Sequence, residues 1–275
     1  YRKIRNTARY ILGNLDGFDP NTNRVSADER TELDKWAYTR LDALNDKVRG
    51  GYDALDYHVA FHAIHNFCVV DMSNFYLDII KDRLYCEKAD SVSRRAAQTT
   101  MYDILSALTR LVAPILVFTA EEIWQHMPKL TALNADSVFF NDMPEKSGIT
   151  ASDAFTEKWD LIYAVRMDVQ KALENKRASK EIGKSLEAKV ILICSDELYN
   201  RLDAIKEDLP AVFIASQVEL KKGSDGELKG EYEGLFVNVG HADGEKCERC
   251  WIYSKTVGQT PEHPTLCSRC ADVVK

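Results

Sequence analysis

The sequence lacks an excess of positive charge. Its 275 residues include 36 Lys and Arg against 43 Asp and Glu, so the formal net charge is -7. This balance excludes a wholly basic surface of the kind that binds nucleic acid without regard to sequence. Any contact with nucleic acid must therefore come from local basic clusters.

Long apolar runs and a secretory leader are also missing. No stretch of 18 or more apolar residues occurs, and the first ten residues, YRKIRNTARY, have no apolar centre. We therefore expect a cytoplasmic chain that does not enter a membrane. Because the first residue is Tyr1 and not Met, the sequence is compatible with a fragment of a longer protein.

Cysteine is scarce, and its number is odd. A disulfide framework is not expected from seven cysteines in a chain with no export signal. Three of them, Cys68, Cys86 and Cys194, stand in apolar or helix-like surroundings and have no partner at a recognisable spacing. We expect these three to be buried thiols.

The other four cysteines form the pattern C-x2-C-x16-C-x2-C, at Cys247, Cys250, Cys267 and Cys270. Two C-x-x-C turns can bring four thiolates to one tetrahedral ion, and the 16 residues between them are enough to place the turns face to face. Four thiolates leave no open coordination position, so the pattern predicts one structural zinc. A rubredoxin-like iron site and a metal-free cluster are the alternatives.

Trp251 follows the second cysteine and has two interpretations. Its ring could pack over the metal site, or it could be an exposed platform beside Arg249 on which an unpaired base stacks. The sequence does not decide between them.

The order of patterns predicts a mainly α fold with two parts. Long amphipathic helices are expected to about residue 130, including one from after Ser26 to Gly50 and Gly51 and a short one with Thr119 as N-cap. An irregular stretch at 131–150 then leads into a small α+β unit, in which LEAKVILIC and VFIASQVELKK are expected to be strands.

Two stretches resemble catalytic motifs. Gly183, Lys184 and Ser185 match the end of a phosphate-binding loop, but Ala178 stands where its first glycine belongs and a helix is expected before it. His58 and His62 have the spacing of a metalloprotease helix, but Val59 occupies the position of the general base. We therefore expect no active site in this chain.

Two local clusters of basic residues are candidates for RNA contact. Arg2, Arg5 and Arg9 fall within an arc of roughly 60° on the first helix. Residues 164–189 contain seven basic side chains against four acidic ones, and Lys176, Arg177 and Lys184 are the candidates there. An ordinary solvated helix face explains either cluster equally well.

Several segments, in the same order, resemble the C-terminal part of bacterial-type isoleucyl-tRNA synthetases. They are YRKIRNTARYILGNLDGFDP, DMSNFYLDIIKDRLY, LVAPILVFTAEEIW, KALENKRASKEIGKSLEAKV and the terminal CERCW and CSRC. The second and third are similar to segments of the related class I synthetases for valine, leucine and methionine. IGKSLEA followed by the four-cysteine module resembles the isoleucine enzymes specifically.

This resemblance implies a helical anticodon-binding domain at 1–140, a junction domain at 141–238 and a zinc module at 239–275. It implies a monomer that binds tRNA(Ile) and neither DNA nor membrane. The HIGH and KMSKS signatures and the editing domain are absent, so ATP and magnesium would belong to a catalytic domain outside this sequence. Arg249 and Trp251 would contact the anticodon loop, and Arg2, Arg5 and Arg9 the anticodon stem.

Two other functions are alternatives. One is a freestanding zinc-containing RNA-binding module. The other is a DNA repair glycosylase, which has a similar four-cysteine finger, but that class needs an amino-terminal Pro nucleophile and this sequence begins with Tyr1.

Overall fold

A computed structural model describes residues 1–275, which divide into two compact units, Tyr1–Ala151 and Ser152–Lys275. The first unit is helical, and the second combines helices with two small sheets. The mainly α fold class with a terminal α+β part is thereby confirmed. The finer division at residues 140 and 238 stays a prediction.

The first unit contains seven α-helices and one π-helical stretch. They are α1 (Arg2–Asn14), α2 (Glu32–Asp53), α3 (Tyr57–Asn66), the π-helix (Phe67–Tyr76), α4 (Leu77–Ile79), α5 (Lys81–Cys86), α6 (Val92–Val112) and α7 (Val117–His126). Helix α6 contacts α1, α2, α5 and α7, and most of its side chains are buried. It is therefore the central helix of this bundle. None of the helices is both long and apolar enough to cross a bilayer.

Helix α2 begins later than the sequence predicts. Thr31 is its N-cap: the Thr31 hydroxyl accepts from the Asp34 N–H at 3.3 Å, and the Asp34 carboxylate accepts from the Thr31 N–H at 3.0 Å. Ser26 instead closes a local turn, because its N–H and its hydroxyl both donate to the Glu29 carboxylate at 2.9 Å. The reciprocal cap fixes the start of the helix after Thr31.

The prediction that Thr119 caps α7 is wrong. The Ala120 N–H donates to the Leu116 carbonyl at 2.8 Å, so Leu116 is the N-cap and the helix starts at Val117. Thr119 lies inside the first turn, where its hydroxyl is 3.4 Å from the Tyr1 hydroxyl. The helix ends at His126, two residues before Pro128, as the position of that proline predicts.

The segment DMSNFYLDIIKDRLY has apolar residues at helical spacing, but it is not a continuous α-helix. Residues Phe67–Tyr76 are π-helical, and the Ser73 hydroxyl donates to the Cys68 carbonyl at 2.7 Å, five residues back. The apolar face of the segment is nevertheless buried, and Lys81 forms an ion pair with Asp78 at 2.6 Å. The wider turn changes the phase of the helix without exposing its apolar side chains.

A buried ionic network joins three elements of this unit. Asp34 is fully buried and accepts from both terminal nitrogens of Arg83, at 3.0 and 2.8 Å, and from the Tyr76 hydroxyl at 2.7 Å. Because these bonds satisfy the carboxylate, the charge is tolerated in the core.

The second unit begins with the long helix α8 (Asp153–Ala178). It continues with β1 (Ala188–Cys194), α9 (Asp196–Asp203), α10 (Leu209–Phe213), β2 (Gln217–Lys222), β3 (Leu228–Lys229), β4 (Leu235–His241), β5 (Glu245–Lys246), β6 (Tyr253–Ser254) and α11 (Ser268–Val274). Strand β1 lies between a parallel β2 and an antiparallel β4, and β3 pairs with β4. Alternate residues of β1 and β4 are buried, and α8 packs against β4.

The sequence predicts only part of this sheet. The start of VFIASQVELKK belongs to α10, and Ile214, with a left-handed φ of 55°, ends that helix before β2 begins. Strand β4 was not predicted, although Leu235, Val237 and Val239 show the alternation of a half-buried strand.

Candidate zinc centre and RNA-binding residues

The four paired cysteines meet at one point in the second unit. Cys247 and Cys250 follow β5, Cys267 is the N-cap of α11, and Cys270 lies in the first turn of that helix. All four are buried, and their sulfurs lie within 4.8 Å of one another. The sulfurs of Cys250 and Cys267 are 3.8 Å apart. Zn–S bonds of about 2.3 Å in a tetrahedron require an S–S edge of roughly 3.8 Å, so the donor set fits zinc.

A short hairpin, β5 paired with β6, holds the first cysteine pair. Gly244 lies immediately before β5, at the open end of this hairpin, and that position needs glycine, because its φ is +90° and an added Cβ would lie 2.4 Å from the Ser254 carbonyl carbon. Burial alone would raise the pKa of the Cys247 thiol, but hydrogen bonds from the backbone N–H groups of Cys250, Cys267 and Arg249 lower that pKa to about 6. The backbone thus favours the thiolate at Cys247, whereas burial raises the pKa of Cys250 and of Cys270.

The remaining three cysteines are buried thiols, as predicted. Burial raises the pKa of Cys68 to about 12 and that of Cys194 to about 11. Neither is therefore a reactive thiolate at neutral pH.

Trp251 is exposed. Its side chain sits at 53% relative exposure, and its backbone has a left-handed φ of 64°, which is rare for a bulky residue. The ammonium groups of Lys184 and Lys246 lie 5.2 and 5.7 Å from the centre of its ring. The ring is therefore not packed away over the cysteines, and positive charge flanks it.

Arg249 lies against the cysteine cluster. It is half-buried, and its guanidinium donates to the Cys270 sulfur at 3.7 Å. This contact places a positive charge beside the thiolates, which gives Arg249 a role in the metal centre that the sequence did not reveal.

The two basic clusters differ in how their charges are used. Arg2, Arg5 and Arg9 are exposed on α1 and form no ion pair. In the second cluster Lys176 pairs with Glu181 at 2.8 Å and with Glu227 at 3.2 Å, and Arg177 pairs with Glu174 at 3.0 Å. Lys184 forms no ion pair and contacts the Trp251 ring. The sequence-based charge count therefore overstates the positive charge that the second cluster offers.

Comparison with known families and proteins now identifies the chain. Residues 34–192 match the family described as "Anticodon-binding domain of tRNA ligase", and residues 244–273 match "Zinc finger found in FPG and IleRS". The first match covers more than half of the sequence.

The chain belongs to the anticodon-binding family of tRNA ligases.

Similar proteins agree with this assignment. The chain is 48% identical over 278 residues to "Isoleucine--tRNA ligase" of Bacillus mycoides (strain KBAB4), and 47% identical over 276 residues to the protein of that name from Syntrophotalea carbinolica. A third, from Thermoanaerobacter sp. (strain X514), is 46% identical over 279 residues. Each alignment covers 100% of this chain but only 29–30% of the relative, so the chain spans about a third of their length.

These findings confirm the resemblance drawn from the sequence. This member of the anticodon-binding family has a site for one structural zinc, as its zinc-finger match and its four-cysteine cluster show. A zinc finger shared with FPG does not by itself separate a synthetase from a glycosylase. The match to the anticodon-binding domain separates the two classes, and tRNA binding follows from that match.

Neither catalytic-looking motif forms a site in this anticodon-binding chain. The Gly183 N–H, which a phosphate loop would offer to its ligand, donates to the Glu187 carboxylate at 2.7 Å, and α8 precedes it. His58 and His62 are exposed on α3, and no group of three potential ligands forms around them.

Proposed function

We propose that this chain is the tRNA(Ile)-binding part of an isoleucine–tRNA ligase and that it recognises the anticodon region. The single observation that carries the proposal is the exposed ring of Trp251, which projects from a zinc-binding hairpin and has two ammonium groups over it. Activation of isoleucine with ATP and magnesium would take place in parts of the ligase outside this chain. We expect the protein to act in the cytoplasm as a monomer, without binding DNA or membrane.

The metal centre supplies rigidity in this proposal. Cys247, Cys250, Cys267 and Cys270 hold the zinc, and the bound zinc fixes the turn that carries Trp251. A ring fixed in this way loses little entropy when a base stacks on it.

A base can displace the two lysines from the Trp251 ring. Each exposed cation–π contact is worth about 0.5–1 kcal/mol, so the two together are worth about 1–2 kcal/mol, and a base stacked on an aromatic ring is worth about 1–3 kcal/mol. Because these ranges overlap, the exchange is favoured when the released ammonium groups of Lys184 and Lys246 also bind phosphates on either side of the base.

The remaining basic residues would position the RNA backbone. Arg2, Arg5 and Arg9 are free of acidic partners and can bind phosphates of the anticodon stem directly. Lys176 and Arg177 can contribute only by exchanging their carboxylate partners for phosphates, and we expect smaller effects from them. Arg249 would support the zinc centre and contact the loop from beside it.

Filter binding with tRNA(Ile) and tRNA(Val) tests the proposal. Loss of 1–3 kcal/mol of stacking predicts that Trp251→Ala weakens tRNA(Ile) binding roughly 5- to 150-fold. Trp251→Phe should restore part of this loss. Phe140→Ala removes an aromatic side chain with 69% relative exposure from the first unit and is the matched control. Unchanged affinity in a zinc-loaded Trp251→Ala protein, or equal binding of the two tRNAs by the wild type, would refute the proposal.

A further inference from the structure

A second candidate site lies in the helical unit. A cavity of about 310 Å³ opens there between the segment that precedes α2 and helix α6, and its charged and aromatic lining residues are Arg24, Arg30, Tyr38, Tyr102, Asp103, Arg110 and Glu145. Its volume falls at the lower end of the range of about 300–1,000 Å³ that is usual for small-molecule sites.

The carboxylate of Asp103 is already fully engaged. It accepts two hydrogen bonds from Arg24, at 2.6 and 2.8 Å, and another from the Tyr38 hydroxyl. Asp103 thus neutralises one guanidinium. The other carboxylate at the cavity, that of Glu145, is exposed at its rim. Arg30 reaches the Asp103 carboxylate only at 3.9 Å, and Arg110 forms no ion pair with it.

Arg30 is the less satisfied of these two. Its side chain has only 12% relative exposure, and the Nε of its guanidinium is buried without a hydrogen-bond partner. The guanidinium lies over the Tyr38 ring, 4.6 Å from its centre, and 3.9 Å from the Asp103 carboxylate. Burying a cation without hydrogen-bond partners is costly, and such a group in a native structure calls for an explanation.

Arg110 is only partly satisfied. It donates to the Ser106 and Asp142 carbonyls, each at 3.2 Å, and burial lowers its pKa. Neutral carbonyls compensate a buried cation less well than an anion does. The charges of Asp103 and Asp142 act on Arg110 from a distance, but neither Arg110 nor Arg30 donates a hydrogen bond to a carboxylate.

We propose that Arg30 and Arg110 bind a phosphate group in this cavity, with the rings of Tyr38 and Tyr102 beside it. Guanidinium groups match the geometry of a phosphate, and a dianion would supply the acceptors that both arginines lack. The phosphate could belong to a nucleotide-sized molecule or to an RNA backbone. This site is separate from Trp251 and does not depend on the function proposed for it.

Isothermal titration of the full 275-residue chain tests the site with inorganic phosphate and with AMP, at constant ionic strength, and adenosine is the control ligand without phosphate. We expect phosphate and AMP to bind and adenosine not to bind. Loss of charge-assisted hydrogen bonds predicts that Arg30→Met weakens binding at least about tenfold, with Arg30→Lys in between. Arg201→Met removes the same charge from an exposed position in the second unit and should change nothing.

Circular dichroism and thermal unfolding confirm that each variant is folded, and Arg110→Met replaces Arg30→Met if the latter is not. Competition between phosphate and an RNA oligonucleotide for the wild type would assign the site to backbone phosphates. Its absence would assign the site to a free phosphate compound. No binding of either phosphate or AMP, or undiminished binding by the folded arginine variants, would overturn the proposal.

Discussion

Removal of zinc should unfold the terminal hairpin region and leave the helical unit intact. Within residues 244–273 the buried side chains are the four cysteines and Ala271. Burial of the Ala271 methyl group contributes about 1 kcal/mol. Apparent binding energies of structural zinc are about 10–16 kcal/mol at neutral pH. The metal therefore dominates the stability of this region.

The structure also predicts which signals change. Helix α11 has 7 residues, whereas α2, α6 and α8 have 22, 21 and 26, so helical circular dichroism should fall only slightly on chelation. Amide hydrogen exchange should accelerate in residues 244–273 and stay slow in α6. Affinity for tRNA(Ile) should fall as the platform at Trp251 is lost.

The control is readdition of zinc, which should restore protection and tRNA binding together. Two results would refute the reasoning. One is unchanged exchange in residues 244–273 after zinc release has been verified by metal analysis. The other is cooperative loss of the whole helical signal, which would show that the two units do not unfold independently.

Three further predictions concern Arg83, Arg5 and Gly244. Arg83→Met leaves the buried Asp34 carboxylate without its cation and should lower the free energy of unfolding in urea by about 3–5 kcal/mol, whereas Lys81→Met breaks an exposed pair and should cost less than about 1 kcal/mol. Arg5→Met should reduce the slope of log K against log salt for tRNA binding by roughly 0.7–0.9 if the side chain neutralises one phosphate; an unchanged slope would show that Arg5 does not contact the RNA backbone. Gly244→Ala should weaken zinc binding in a competition assay with a chelator, because the backbone before β5 has no room for a Cβ, whereas Gly13→Ala meets nothing within 4 Å and should not.

Local sequence rules predicted the helices well where apolar periodicity and caps agree. Helix α1 buries Ile4, Ala8 and Ile11, which recur at helical spacing, and α6 spans the long periodic run Val92–Val112. Local rules failed at Thr119, because its capping pattern lies inside a helix that starts at Val117. They also failed at Phe67–Tyr76, where the helical turn is wider than in an α-helix. Backbone hydrogen bonds decide these details, and residue type alone does not specify them.

The sequence by itself determined the zinc centre and the family of this protein. The spacing C-x2-C-x16-C-x2-C is enough to predict the coordination geometry. Each short turn places two sulfurs side by side, and a tetrahedral ion can bind all four. Helical periodicity is similarly local, since each residue contacts others three or four positions away.

Only the tertiary structure decided which charges are available for binding. It paired Lys176 with two glutamates, set Lys184 and Lys246 over Trp251, and left the Nε of Arg30 buried without a hydrogen-bond partner. Two of these contacts, Lys176 with Glu227 and Lys184 with Trp251, join residues distant in the chain, and electrostatic energy depends on separation in space and on burial. A count of charges along the sequence contains neither quantity, so the fold had to supply both.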